Sequence, residues 1–171
     1  MLSNGLLTAI GNSDNGRPIY SFAWIVKTSA VRQQTFPPDR SVTVEHRYRP
    51  SVGTAADTIL RTPLRKNKAL AGQIEQYKKD FCITDGMLTG LDRLAGKGAL
   101  QERRISYVLH TGANWAAPIK TFKLVVDPGG KERFVSFCST GLKPVENRPF
   151  EYEATNFKPD TDLKVLVVGK F

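Results

Sequence analysis

Phe122-Lys123-Leu124-Val125-Val126 runs into Asp127-Pro128-Gly129-Gly130, and Phe134-Val135-Ser136-Phe137-Cys138 follows. Phe122, Leu124 and Val126 fall at every second position, and successive side chains of an extended chain point to opposite faces. One face of this segment is therefore apolar, which is the signature of a half-buried strand. Asp-Pro-Gly-Gly is turn chemistry, so the spacing predicts a hairpin joining 122–126 to 134–138.

The same alternation recurs outward in both directions. Ile105, Tyr107 and Leu109 form one row, Phe150, Tyr152 and Ala154 another, and Leu163 to Val168 supplies a closing strand. Toward the N-terminus, the turn cluster at 12–18 leads into Tyr20, Phe22, Trp24 and Val26, predicting a half-buried strand. Pro37-Pro38 precedes a second predicted strand with Val42, Val44, His46 and Tyr48 on one face, ended by Pro50. Six to seven short strands with frequent turns predict a mainly β fold, an antiparallel β-sandwich. Between about residues 54 and 98 the period changes. Ala69, Leu70, Ile74 and Tyr77, then Met87, Leu88, Leu91 and Leu94, approximate a 3.6-residue repeat. Pro63 separates an earlier piece, Asp85 is placed to cap the later helix, and Gly96 and Gly98 to end it. The expectation is one β-sandwich domain over 1–171, with a helical insertion at 54–98 as an appendage.

Composition narrows the class further. The 171 residues carry 40% hydrophobic and 24% charged side chains, which excludes a disordered tail or a disulfide-dense miniprotein. No apolar run approaches the ~20 residues of a membrane-spanning helix. The start, Met1 to Ile10, has no basic segment and is not read as a signal peptide. Lys and Arg number 25 against 16 Asp and Glu, a formal charge of +9. Much of that excess lies in 40–80, with Arg65, Lys66 and Lys68 close together on the predicted helical insertion. Such a patch suits anionic lipid headgroups, polysaccharides or phosphates, although a solvated helical face is the simpler explanation. Nucleic-acid binding calls for interleaved aromatics, and only Tyr48 and Tyr77 interleave here.

Three stretches carry a resemblance. The first is Gln34-Thr35-Phe36-Pro37-Pro38, running into Val44-Glu45-His46-Arg47-Tyr48-Arg49-Pro50-Ser51-Val52-Gly53. The second extends from Tyr107-Val108-Leu109 through Thr111-Gly112-Ala113-Asn114-Trp115 to Pro118-Ile119. The third is Val135-Ser136-Phe137-Cys138 with Asn156-Phe157-Lys158-Pro159 and Asp162-Leu163. Over roughly residues 20–168 the chain resembles a group of exported bacterial proteins, the domain-of-unknown-function family forty-four twenty-four. The resemblance implies a periplasmic or secreted protein of which this chain is the C-terminal part, a fragment of something longer. It also implies an unpaired strand edge, open to self-association, where upstream β structure would sit. It transfers no activity.

Cys82 and Cys138 belong to no metal-binding motif, and from spacing alone they are either two buried thiols or one crosslink. The exported origin that the resemblance implies makes a Cys82–Cys138 disulfide the expectation. It also argues against a nucleic-acid partner. Glu45 and His46 sit on opposite faces of a strand and form no dyad, so His46 is expected to pack beside Val44 and Tyr48. His110 stands at a strand end, and a metal-dependent or hydrolytic enzyme using His46 and His110 is the alternative function. In the loop 111–115, Trp115 is suited to stacking on a sugar or peptide and Asn114 to offering its amide, while Trp115 as a core plug is the favoured reading. No nucleotide, dinucleotide or serine-hydrolase fingerprint occurs, so no cofactor is expected. The function expected is a non-enzymatic module binding a protein, a glycan or an envelope surface, with Asn114, Trp115, Arg65, Lys66 and Lys68 as candidate contacts.

Overall fold

The computed structural model describes residues 4–24, 29, 31–96, 98–146 and 150–171. The chain divides into two compact units, 1–47 and 48–171, where the sequence alone suggests one domain. In the first unit, β1 (Leu7–Asn12) pairs antiparallel with β2 (Pro18–Phe22) around a turn in which the Ser13 amide donates to the Arg17 carbonyl. The half-burial expected of Tyr20, Phe22 and Trp24 is not found. Both faces of β2 are exposed, because no second layer covers the hairpin among the described residues of its unit. Val26 lies outside the described residues. The strand expected at 42–48 is also absent. That stretch is irregular, with Val42, Val44 and His46 exposed, since alternation without a neighbouring strand provides no ladder to join.

The second unit is mainly β and antiparallel, as expected. A four-stranded sheet has the order β3 (Gly53–Ala55), β4 (Gln101–Tyr107), β9 (Leu163–Gly169), β6 (Arg133–Ser136). A three-stranded sheet has the order β5 (Ile119–Val125), β8 (Glu151–Phe157), β7 (Lys143–Pro144). The sheets share an apolar layer. Leu163, Val165 and Val167 of β9, with Ile105, Tyr107 and Val135, meet Leu124, Val126 and Tyr152. The inward row of 122, 124 and 126 is thus real, but its hairpin partner is not β6. The turn at Asp127–Gly130 carries the chain from one sheet to the other, because Lys131 and Glu132 lengthen the connection beyond a two-residue loop. Asp127 Oδ1 accepts from the Gly129 amide at 2.7 Å, and Gly129 takes the left-handed φ of +72° that the turn requires.

The helical stretch lies between paired neighbours β3 and β4 in sequence. It comprises α1 (Thr62–Arg65), α2 (Ala71–Phe81) and α3 (Asp85–Ala95). It is no appendage. Phe81, Met87, Leu88, Leu91 and Leu94 pack on Leu166 and Val168, covering the face of β9 turned away from the second sheet. Strand β9 is consequently buried on both faces, which is why 163–168 reads as a continuous apolar run with only Lys164 exposed. Helix α3 is capped by Thr84, whose Oγ1 accepts from the Met87 amide at 3.2 Å, one residue before the Asp85 expected in that role. Gly90 lets α3 approach β6 closely, since a Cβ there would stand 2.5 Å from Phe134 Cζ. Cys82, in left-handed geometry at the end of α2, is disulfide-bonded to Cys138 just beyond β6. The bond fastens the helical layer to the sheet, alongside a hydrogen bond from Ser136 Oγ to the Phe81 carbonyl at 2.8 Å.

Candidate functional site

Strand β4 ends with Tyr107 opposite Leu163. Beyond that pair the backbone ladder stops, and the side chain of Asp162 takes over. Its Oδ1 accepts from the Leu109 amide at 2.9 Å and the His110 amide at 3.3 Å, as a capping acid does at the start of a helix. The chain then winds into a short 3-10 turn, His110–Asn114, closed by the Gly112 amide on the Leu109 carbonyl at 2.9 Å. Asp162 Oδ1 also lies 2.6 Å from His110 Nδ1. That bond, with the two amides, holds the Asp162 carboxyl below the usual carboxylate range. With Asp162 ionised, the ring nitrogen facing it must be the donor, so a neutral His110 ring has Nε2 free as an acceptor.

The far side of the turn rests on Pro159, which is buried. A Cβ on Gly112 would come within 3.1 Å of Pro159 Cγ, so this position favours glycine by closeness of packing. Fastened at both sides, the turn delivers Asn114 and Trp115 to the surface. Trp115 is 65% exposed, beside a shallow hollow of about 80 Å³ that also involves Ala113, Pro118 and Lys158. The core plug favoured from sequence is thus overturned. The layer between the sheets is already filled by Tyr107, Leu109, Leu124 and Tyr152, and Trp115 leaves the turn in extended geometry. Two of the stretches that carry the family resemblance, 107–119 and 156–163, meet at this turn.

The basic candidates separate. Lys66 and Lys68 are exposed. Arg65 is a structural clamp instead, its side chain 19% exposed. Its guanidinium donates to Asp92 Oδ2 at 2.5 Å, to Thr62 Oγ1 at 3.1 Å and to the Leu60 carbonyl. Thr62 Oγ1 in turn donates to Asp92 Oδ1 at 2.6 Å. Arg65 foremost, then Thr62, holds the Asp92 carboxyl low against the opposing effect of desolvation. His46 lies exposed in the first unit and does not pack as expected, whereas His110 belongs to the second.

Sequence reasoning missed Asp162 as the partner of His110, because the two are 52 residues apart and no local pattern joins them. It also missed Glu102. That side chain is buried, 5% exposed, and Oε1 accepts from the Tyr77 hydroxyl at 2.7 Å with Arg104 Nε at 3.6 Å. Burial and the adjacent carboxylate push the Tyr77 hydroxyl far above its ordinary value. Among the described residues, no group of three or more His, Cys, Asp or Glu is placed to hold a metal ion. No helix among them is long and apolar enough to cross a membrane.

The second unit defines a class: an antiparallel two-sheet protein with a helical outer layer, one disulfide and an exposed aromatic turn. The chain belongs to the family described as a domain of unknown function, DUF4424, whose family model matches residues 1–166. No curated protein and no solved structure matches it.

Proposed function

We propose that the chain is an exported, periplasmic or secreted, binding module that holds a glycan of the cell envelope and performs no chemistry on it. The observation that carries this reading is Trp115, an indole 65% exposed on a turn fastened by Asp162 and Pro159. The flat indole face, held outward by the turn, matches the apolar face of a sugar ring. Asn114 and Lys158 stand nearby to meet hydroxyl or carboxylate substituents. The Cys82–Cys138 disulfide suits an oxidising compartment. Titration with fragments of envelope polysaccharide, followed by indole fluorescence, is the test. Binding should weaken at least tenfold in Trp115→Ala with the fold unchanged, and equal binding by that variant would overturn the proposal.

A second reading rests on the His110–Asp162 pair, which has the orientation of a general base and its positioning acid. It requires hydrolysis of an activated ester to be measurable with purified protein and lost in His110→Asn. Activity that survives that change would come from elsewhere.

A further inference from the structure

A hollow of about 290 Å³ lies on β3 and the start of β4, lined by Thr54, Ala55 and Ala56 with Gln101, Glu102 and Arg103. Thr54 pairs directly with Arg103 across the ladder, and Gln101 stands two positions before Arg103 on β4. Opposed residues and i, i+2 neighbours share a face, so the hydroxyl, the carboxamide and the guanidinium stand on the same side of the sheet. Glu102 points to the other side, where its carboxylate accepts from the Tyr77 hydroxyl. The polar groups on this side are therefore hydrogen-bond donors with one full positive charge, and Ala55 and Ala56 leave room beside them. We propose that this hollow binds the phosphate monoester of a small organic molecule. It lies at the opposite end of β4 from Trp115 and goes beyond glycan binding there.

The guanidinium is held in place before any ligand arrives. Arg103 Cζ lies 3.9 Å from the centroid of the Phe171 ring. That ring is fixed in turn, because Arg133 Cζ stands 4.2 Å from the same centroid and Arg133 Nε donates to the Lys170 carbonyl at 2.8 Å. The Lys170 amide donates to the Glu132 carbonyl at 3.1 Å, which anchors the same tail to the start of β6. An aromatic ring engages the flat face of a guanidinium and leaves its N–H donors at the edge. Among the described residues, the Arg103 guanidinium forms no hydrogen bond or ion pair, so that edge is available with little ordering left to supply. Three separate donors suit the three terminal oxygens of a phosphate ester, whereas a carboxylate offers two. The second guanidinium beside Phe171 and the overall charge of +9 favour a dianion further. The volume beyond the phosphate holds the group it is esterified to.

The test is calorimetric titration of the oxidised full chain with glucose 6-phosphate, inorganic phosphate and glucuronate at low salt. Glucose 6-phosphate should bind saturably, at least tenfold more tightly than glucuronate and at least threefold more tightly than inorganic phosphate. Arg103→Gln should weaken that binding at least tenfold, and Arg103→Lys, which keeps the charge but loses the fork, at least fivefold. Lys120→Gln removes one exposed charge elsewhere and should bind as the parent does. Should the Arg103 variants fail to fold, Thr54→Val carries the test, with at least threefold weaker binding and an unchanged melting midpoint. Absence of saturation in the millimolar range, equal binding of glucuronate or of inorganic phosphate, or equal losses in Arg103→Gln and Lys120→Gln would each overturn the proposal.

Discussion

Asp162 Oδ1 stands 2.6 Å from His110 Nδ1 and accepts the backbone amides of Leu109 and His110 as well, so one carboxylate oxygen fixes both the start of a turn and the ring it carries. The pairing has a defined pH dependence. A carboxyl held below its ordinary value contributes fully above the unfolded-state value of about 3.9. Its contribution is lost as pH falls through the lowered folded value. Fluorescence of Trp115, read in a Trp24→Phe background, should therefore report loosening of the turn as pH falls below about 4. In Asp162→Ala the turn should be loosened already at neutral pH, and the acid transition should disappear.

Arg65 and its neighbours Lys66 and Lys68 should behave in opposite ways. Arg65→Ala removes the guanidinium donor from the Leu60 carbonyl and from Asp92 Oδ2, leaving Thr62 Oγ1 on Asp92 Oδ1, and should destabilise the second unit by about 1–3 kcal/mol in urea denaturation. Lys66→Glu and Lys68→Glu change exposed charge alone and should leave the urea midpoint within about 0.5 kcal/mol of the parent. A stable Arg65→Ala protein would show that the clamp is dispensable.

Gly90→Ala sets two effects against each other. Alanine gains about 1 kcal/mol of helix propensity over glycine, but its methyl group would lie 2.5 Å from the Phe134 ring. Overpacking costs roughly 1–3 kcal/mol, so net destabilisation is expected. Phe134→Leu, which withdraws the ring, should recover part of the loss in the double variant. Gly169→Ala should be worse and resist such rescue, because the atom its methyl group would meet is the Glu132 carbonyl oxygen of the backbone.

Removing the crosslink as Cys82→Ser with Cys138→Ser releases a loop of sequence separation 56 in the unfolded chain. Loop entropy for that length amounts to about 4 kcal/mol, to be measured as the fall in unfolding free energy. Intact mass of the oxidised parent should lie about two hydrogens below that of the reduced form, as the bond chemistry requires.

Strand period was legible wherever one face is buried by another layer, as at Ile105, Tyr107, Leu124 and Tyr152. It misled where no layer exists. Val42 and Val44 alternate as well as any core row, yet among the described residues no strand pairs with them. The helices were legible from Met87, Leu88, Leu91 and Leu94, but not their place, because an apolar stripe does not name the surface it covers. Within the candidate site, Asn114 and Trp115 were legible as loop residues. The carboxylate that positions them was not, since contact between His110 and Asp162 is created by the β4–β9 register alone. Arg65 illustrates the converse limit: composition counts a cation, and only the fold assigns it to Asp92.

Strand β9 occupies the middle of its sheet although it is the last strand of the chain. During synthesis, β4 and β6 are complete long before the one segment that joins them exists. The helices likewise wait for Leu166 and Val168 as their landing surface. A nascent polypeptide halted before residue 163 lacks the strand that β4 and β6 both pair with. The four-stranded sheet is completed only once residues 163–169 are present.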